Sequence, residues 1–331
     1  MKRYCRLVRA WVLIPCIPLA LVFGLSKAFC APLESADPIL VVGTKGKFDY
    51  LQVDERLHRL LADHTGNGSL DVIDLPDGRL IKSVPTGAAQ GVAIDVDRNC
   101  YYVSVSDQKK LVIVDRTTLQ VIGGVTLPGS PDSLTFCPKN GMVYVDHDDE
   151  QDVWVVDPKA QNIRGTVKVP PAPEYVLYDS ISNRIFQNIK SQPITLAIDP
   201  DDRAIRAAWS TLPAEKPHGL AIDTQTRRLF SAGGNGELVV LDAATGASLG
   251  SVAIALGVDQ IAFDPANKRI YCASGRGKLS VLEETEKGIE SLGDITTPAG
   301  AHTLAIDPAT HSVWIAFAKE DAAYIAELKV R

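Results

Sequence analysis

Residues 218–254 read HGLAIDTQTRRLFSAGGNGELVVLDAATGASLGSVAI. Four short apolar-rich runs, HGLAID, RRLFSAG, ELVVLD and ASLGSVAI, are divided by TQT, GNG and AATG. Runs of this length bounded by Gly, Asn, Asp and Thr predict β-strands joined by tight turns. The stretch is one copy of a repeating unit. Its first landmark, GLAID ending at Asp223, recurs as YLQVD at Asp54, GVAID at Asp95, SLTFC at Cys137, YVLYD at Asp179, QIAFD at Asp264 and TLAID at Asp307. A second landmark keeps step, ending at Asp74, Asp115, Asp157, Asp199, Asp242 and Glu283. Seven places after the first landmark stands a third column: Leu61, Tyr102, Tyr144, Phe186, Phe230, Tyr271 and Trp314, aromatic in all but its first member. Four strands in every 41–44 residues are the mark of a propeller blade. Seven units therefore predict an all-β fold, a seven-bladed β-propeller of four-stranded antiparallel blades spanning residues 39–331.

The last unit holds only three strands before the chain ends at Arg331. ILVVGTK (39–45) precedes the first unit as a strand without a blade. It is expected to become the outer, fourth strand of blade seven, so that the two chain ends share one sheet and no wedge stays open. Residues 29–38 are expected to form a short unstructured lead.

Upstream, the basic MKRYCRLVRA leads into WVLIPCIPLALVFGL and then SKAFCA. This order predicts a secretory signal peptide over residues 1–28, cut after Ala28 or after Cys30. The apolar run is short for a membrane span and is interrupted by Pro15 and Pro18. The mature protein is accordingly expected in the periplasm or secreted, without a membrane span. Apolar residues make up 46% and charged residues 22%, a globular composition. The 34 basic and 40 acidic residues give a net charge of −6, and all five charges before Phe29 are basic. The remainder, 29 basic against 40 acidic, stands at −11, which argues against nucleic acid as a partner. Cys100, Cys137 and Cys272 lie in different units without CxxC spacing and read as buried thiols.

The second strands YYVSVSD, MVYVDHD and RIYCASG, followed by LVIVD or LSVLE and then a GVAID-like run, resemble the YVTN (YncE-like) β-propeller repeat proteins over residues 39–331. That resemblance implies an exported or surface-displayed seven-bladed propeller serving as a binding or scaffold module. At the position of the motif's Asn this chain carries His64, Val105, His147, Ile189, Gly233, Ser274 and Phe317.

In a propeller, the loops leading into the inner strands and those after the second strands share one face, here called upper, where ligands commonly sit. Five places before the first landmark stand Asp49, Gln90, Asp132, Glu174, His218, Asp259 and His302, all polar. The loops after second strands add His64 in ADHTGNG and His147 in VDHDDEQDV. These nine residues are the candidate ligand-binding set. His58 and His311 fall in lower-face turns and are expected to be solvent-exposed. Imidazole beside carboxylate suits Zn²⁺ or another first-row ion, and clustered carboxylates suit Ca²⁺. His218, Asp259, His302 and Asp49 are the candidate metal ligands, and a divalent cation is the one candidate cofactor. The repeated Asp of the first landmark is expected to start a tight turn. The aromatic column, with Trp154 and Trp209, is expected to fill the space between blades. The expected function is non-catalytic binding of a partner protein, a polar small molecule or a cation by a monomeric exported propeller. The alternative is a metal-dependent, lactonase-like hydrolase using the His/Asp arc.

Overall fold

The computed structural model describes Met1, residues 33–148 and residues 150–330. The expected signal peptide lies outside these residues. Seven antiparallel sheets form the blades of a propeller. Their inner strands are Tyr50–Asp54, Ala89–Asp95, Pro131–Cys137, Pro173–Asp179, Pro217–Asp223, Val258–Asp264 and Thr303–Ile306. Blades one to six each continue through three further strands, ending with the fourth at Leu80–Pro85, Val121–Thr126, Asn162–Lys168, Ile205–Ser210, Ser248–Ala253 and Gly288–Thr296. Among the described residues no helix is long and apolar enough to cross a membrane.

Blade seven is closed by the N-terminal segment, but earlier and in two pieces. Leu33–Ser35 pairs with Leu328–Val330, and Ile39–Leu40 pairs with Tyr324–Ile325. The register slips by one residue between them, at Asp37 and Pro38, where proline has no N–H to give the ladder. Residues 33–35 of the expected lead are thus strand, because Leu33 sits 2% exposed in the core shared by blades six and seven. The expected strand over 39–45 stops at Leu40 and turns away through Val42 and Gly43.

The aromatic column explains why the blades stack. Each member lies in a separate core cluster that joins its blade to the next. Tyr102 packs with Leu134, Val143 and Trp154, Phe230 with Ile261 and Cys272, and Trp314 with Phe48, Leu51 and Leu60 across the closing seam. Second and third strands are buried almost continuously because both faces of each blade are covered by neighbouring sheets. The three cysteines among the described residues are buried free thiols.

The lower rim is built by the repeated Asp. Its carboxylate accepts a backbone N–H two or three residues on, as in Asp95 to Arg98 at 3.0 Å, Asp223 to Gln225 at 2.8 Å and Asp307 to Ala309 at 3.0 Å. Four places after the landmark, His58, Asn99, Gly141, Asn183, Arg227, Lys268 and His311 all have φ between 49° and 72°. That left-handed residue closes each hairpin. In blades five to seven its side chain also reaches back to the preceding blade, as Arg227 to Asp179 at 2.6 Å, Lys268 to Asp223 at 3.0 Å and His311 to Asp264 at 3.2 Å. His311 is therefore a partly buried partner of Asp264 and not the open surface residue expected, whereas His58 is exposed.

Candidate functional site

The polar column reaches the channel through a recurring backbone irregularity. In blades two to six the pairing of inner and second strands slips at Ala89/Gly91, Pro131/Leu134, Pro173/Tyr175, Pro217/Leu220 and Val258/Ile261. A bulge re-aims the residue it contains, and here it contains Gln90, Asp132, Glu174, His218 and Asp259. Asp49, Gln90, Asp132, Glu174 and Asp259 line one cavity of about 150 Å³ at the upper mouth, together with Tyr50, Ser133, Asp148, Tyr175 and Gln260.

On one side of the mouth the charges are paired. His218 Nδ1 lies 2.7 Å from Glu174 Oε1 and 3.7 Å from Asp259 Oδ1, and Lys190 Nζ lies 2.5 Å from Glu174 Oε2. Burial disfavours the imidazolium, but the Asp259 and Glu174 carboxylates outweigh it and lift His218 to about 9. Burial likewise opposes ionised Asp259, yet hydrogen bonding to His218 and the nearby His302 hold it below the usual carboxylate range. His302 donates Nδ1–H to Gly300 O at 2.8 Å, which leaves Nε2 3.9 Å from Asp259 Oδ2. Asn188, itself buried, fixes this side by donating to the His218 carbonyl at 2.7 Å and accepting from Thr195 at 2.6 Å.

On the other side the charges are crowded. Burial and the Asp259 charge raise Asp49 to about 6, although Lys47 Nζ stands 3.7 Å away. Burial, then Asp146 and Asp49, push Asp132 well above the carboxylate range. Behind it Asp146 is fully buried, also raised by burial and by Glu174. Gln187 donates to one Asp146 oxygen at 3.3 Å, while the other has no hydrogen-bond partner.

Beneath the acids, Tyr50 Oη and Tyr175 Oη meet across the channel at 3.1 Å. The pair lines both the mouth and the space below it. Gln260 ties three blades together here. Its Nε2 donates to Leu51 O at 2.9 Å and its Oε1 accepts from Leu51 N at 3.2 Å, Leu304 N at 3.1 Å and Thr303 Oγ1. Below the tyrosines the lining includes Val53, Ile94, Phe136, Tyr178, Ile222, Phe263 and Ile306, one per blade, beside the polar Gln52 and Glu55.

Two of the nine candidates are placed elsewhere. His64 is fully buried: Nδ1 meets Asp71 Oδ2 at 2.7 Å, Nε2 meets Gly46 O at 3.0 Å, and its ring stacks on Phe48 at 3.9 Å. Both nitrogens are used internally, so His64 has none left for a ligand. His147 packs against Trp154 at 4.5 Å with Nδ1 3.8 Å from Asp152, outside the cavity lining. The candidate metal set is also rearranged. Ligand atoms of Glu174, His218 and Asp259 lie within 4.8 Å of one another, and no other such group occurs among the described residues. Asp49 and His302 thus fall outside the compact group, and Glu174 enters it. Sequence reading passed over Tyr50, Tyr175 and Gln260, because their column reads Tyr, Gly, Ser, Tyr, Gly, Gln, Thr around the ring and carries no pattern.

No protein-family model and no curated protein sequence matches the chain. Among solved structures it is similar to Kuenenia stuttgartiensis hydrazine synthase, at TM-score 0.72 and 12% identity over 88% of this chain and 99% of that one. It is similar to the RRP9 WD40 repeats at TM-score 0.75 and 10% identity, and to U3-55K at 0.74 and 11%, each over 90% of this chain and all of the other. At such identities the likeness is one of fold, and the fold is a seven-bladed β-propeller.

Proposed function

We propose that the protein is an exported, non-catalytic binding propeller of the YVTN type whose upper mouth takes a positively charged or polar ligand. The observation that carries this reading is the convergence of Asp49, Asp132, Asp148, Glu174 and Asp259 on one cavity of about 150 Å³. Crowded, buried carboxylates repel one another, and a cation entering among them relieves that repulsion. Export is supported by the basic, apolar and small-residue order of residues 1–31, and the YVTN assignment by the repeated second-strand motifs. Calorimetric titration of the purified protein with cations tests the reading. Saturable one-to-one binding that is lost in Asp132→Asn supports it, and silence toward every cation and polar probe contradicts it. Mass spectrometry of the secreted chain, beginning at Phe29 or Ala31, tests the export step.

A second reading, a metal-dependent hydrolase, is favoured by the Glu174–His218–Asp259 group alone. Two carboxylates and one imidazole could hold a Zn²⁺-like ion with a place left for water. The ion would have to displace the proton that His218 holds up to about 9. Chelator-sensitive lactone hydrolysis, abolished in His218→Ala, would establish this reading, and chelator-insensitive protein without turnover would remove it.

A further inference from the structure

The spacing of the acids decides which kind of cation fits. A metal ion draws oxygen and nitrogen ligands to about 2.0–2.6 Å, so three ligands of one ion crowd within about 5 Å of one another. Among the described residues only Glu174, His218 and Asp259 come that close. There the His218 imidazole already stands against both carboxylates, and Lys190 covers the outer oxygen of Glu174. The protein's own cations occupy the compact corner of the mouth.

Asp49, Asp132 and Asp148 line the rest of the cavity without forming a three-ligand group. Behind Asp132 the wholly buried Asp146 keeps one oxygen without a hydrogen-bond partner, a polar atom that the fold itself leaves unanswered. The floor is aromatic, with the Tyr50 and Tyr175 rings 6.0 Å apart. Separated carboxylates over aromatic rings match a cation whose charge is spread over several N–H donors. Each carboxylate can accept a charge-assisted hydrogen bond, and the Tyr50 and Tyr175 hydroxyl oxygens below can accept further N–H bonds. The cavity, about 150 Å³, is smaller than the roughly 300–1,000 Å³ of sites for drug-sized ligands, so the guest is small.

We infer that the upper mouth is a receptor for a small organic cation with spaced N–H donors, an alkyl diamine or guanidinium compound, held by Asp49 and Asp132 above Tyr50 and Tyr175. This rests on the binding reading above and names its ligand class. The test is calorimetric titration of the purified protein at pH 7.5 and low salt with 1,4-diaminobutane, guanidinium chloride, CaCl₂ and ZnCl₂ in separate runs. One-to-one binding of the diamine or guanidinium, weakened roughly tenfold or more in Asp132→Asn and unchanged in the lower-rim variant Asp242→Asn, is the expected result. Should Asp132→Asn fail to fold, Asp49→Asn carries the same expectation. Binding of Zn²⁺ or Ca²⁺ with the organic cations silent would overturn the inference while leaving a cation-binding mouth standing. Organic-cation binding indifferent to both mouth variants would overturn it as well, and silence toward all four probes would remove the binding reading with it.

Discussion

Carboxylates recur at both ends of the inner strands, and the two ends treat them in opposite ways. At the lower rim Asp54 accepts Tyr101 Oη and the Arg116 guanidinium at 2.5–2.6 Å, Asp179 faces Arg227, and Asp223 faces Lys268. Burial opposes ionisation there, yet the partners win: Asp54 and Asp179 are held below the usual range, and Asp223 falls to about 2. At the upper mouth the same residue type crowds upon itself. Asp49 rises to about 6, and Asp132 and Asp146 rise well beyond the ordinary value. A carboxylate repeated in nearly every blade with a partner from the next blade is framework. A carboxylate column interrupted by Gln90, His218 and His302, in which Asp49 and Asp132 are held above the usual range, is where we propose that a ligand binds.

The largest effect that breaks this contrast is at the rim. Arg116→Ala leaves Asp54, 2% exposed, ionised and buried without its guanidinium. A loss of about 3–5 kcal/mol is expected in urea denaturation. Next comes acid. Asp223 protonates near 2 in the folded chain against an ordinary 3.8, so its contribution, about 2 kcal/mol, is complete above pH 4 and drains away as pH falls through 2. Asp223→Asn should flatten that limb of a stability profile against pH. At the mouth the sign reverses. Asp132→Asn removes a buried charge in a crowd and should stabilise the empty protein at pH 8 by about 1 kcal/mol, read as a higher denaturation midpoint. The remaining two effects are read in the slope of stability with pH. Asp49, facing Asp259, Lys47, His302 and Glu174, is raised to about 6 and so adds stability as pH falls from 6 toward 4. His218 is raised to about 9, so its share is complete below about 6.5 and lost as pH rises through 9, a limb that His218→Gln should erase.

The blade frame was legible because periodicity survives any detail of packing. The seven-residue step from Asp223 to Phe230 recurs in every unit, the Asp242 position recurs 19 or 20 residues after the first landmark in units one to six, and the core clusters use the aromatic column as that spacing implies. The closing strand was legible in kind but misplaced, since LES (33–35) has no alternation to read and Pro38 splits the ladder. At the mouth, the polar column was visible as a column. The bulges that turn it inward were not, because a one-residue slip in pairing leaves no mark in composition. His64 and His147 stand at the ends of their second strands, and only the three-dimensional register shows that Phe48 and Trp154 claim their rings. The partner of His311 belongs to another blade, 47 residues away, and no local pattern announces it.

The most direct test of the contrast is site-resolved carboxyl titration by ¹³C NMR, comparing Asp49 with Asp223 in one sample, without and then with 1,4-diaminobutane. The account predicts Asp49 near 6 and Asp223 near 2, with Asp49 moving downward when the diamine binds and Asp223 unmoved. Asp49 and Asp223 titrating together near the ordinary 3.8, indifferent to the diamine, would contradict it.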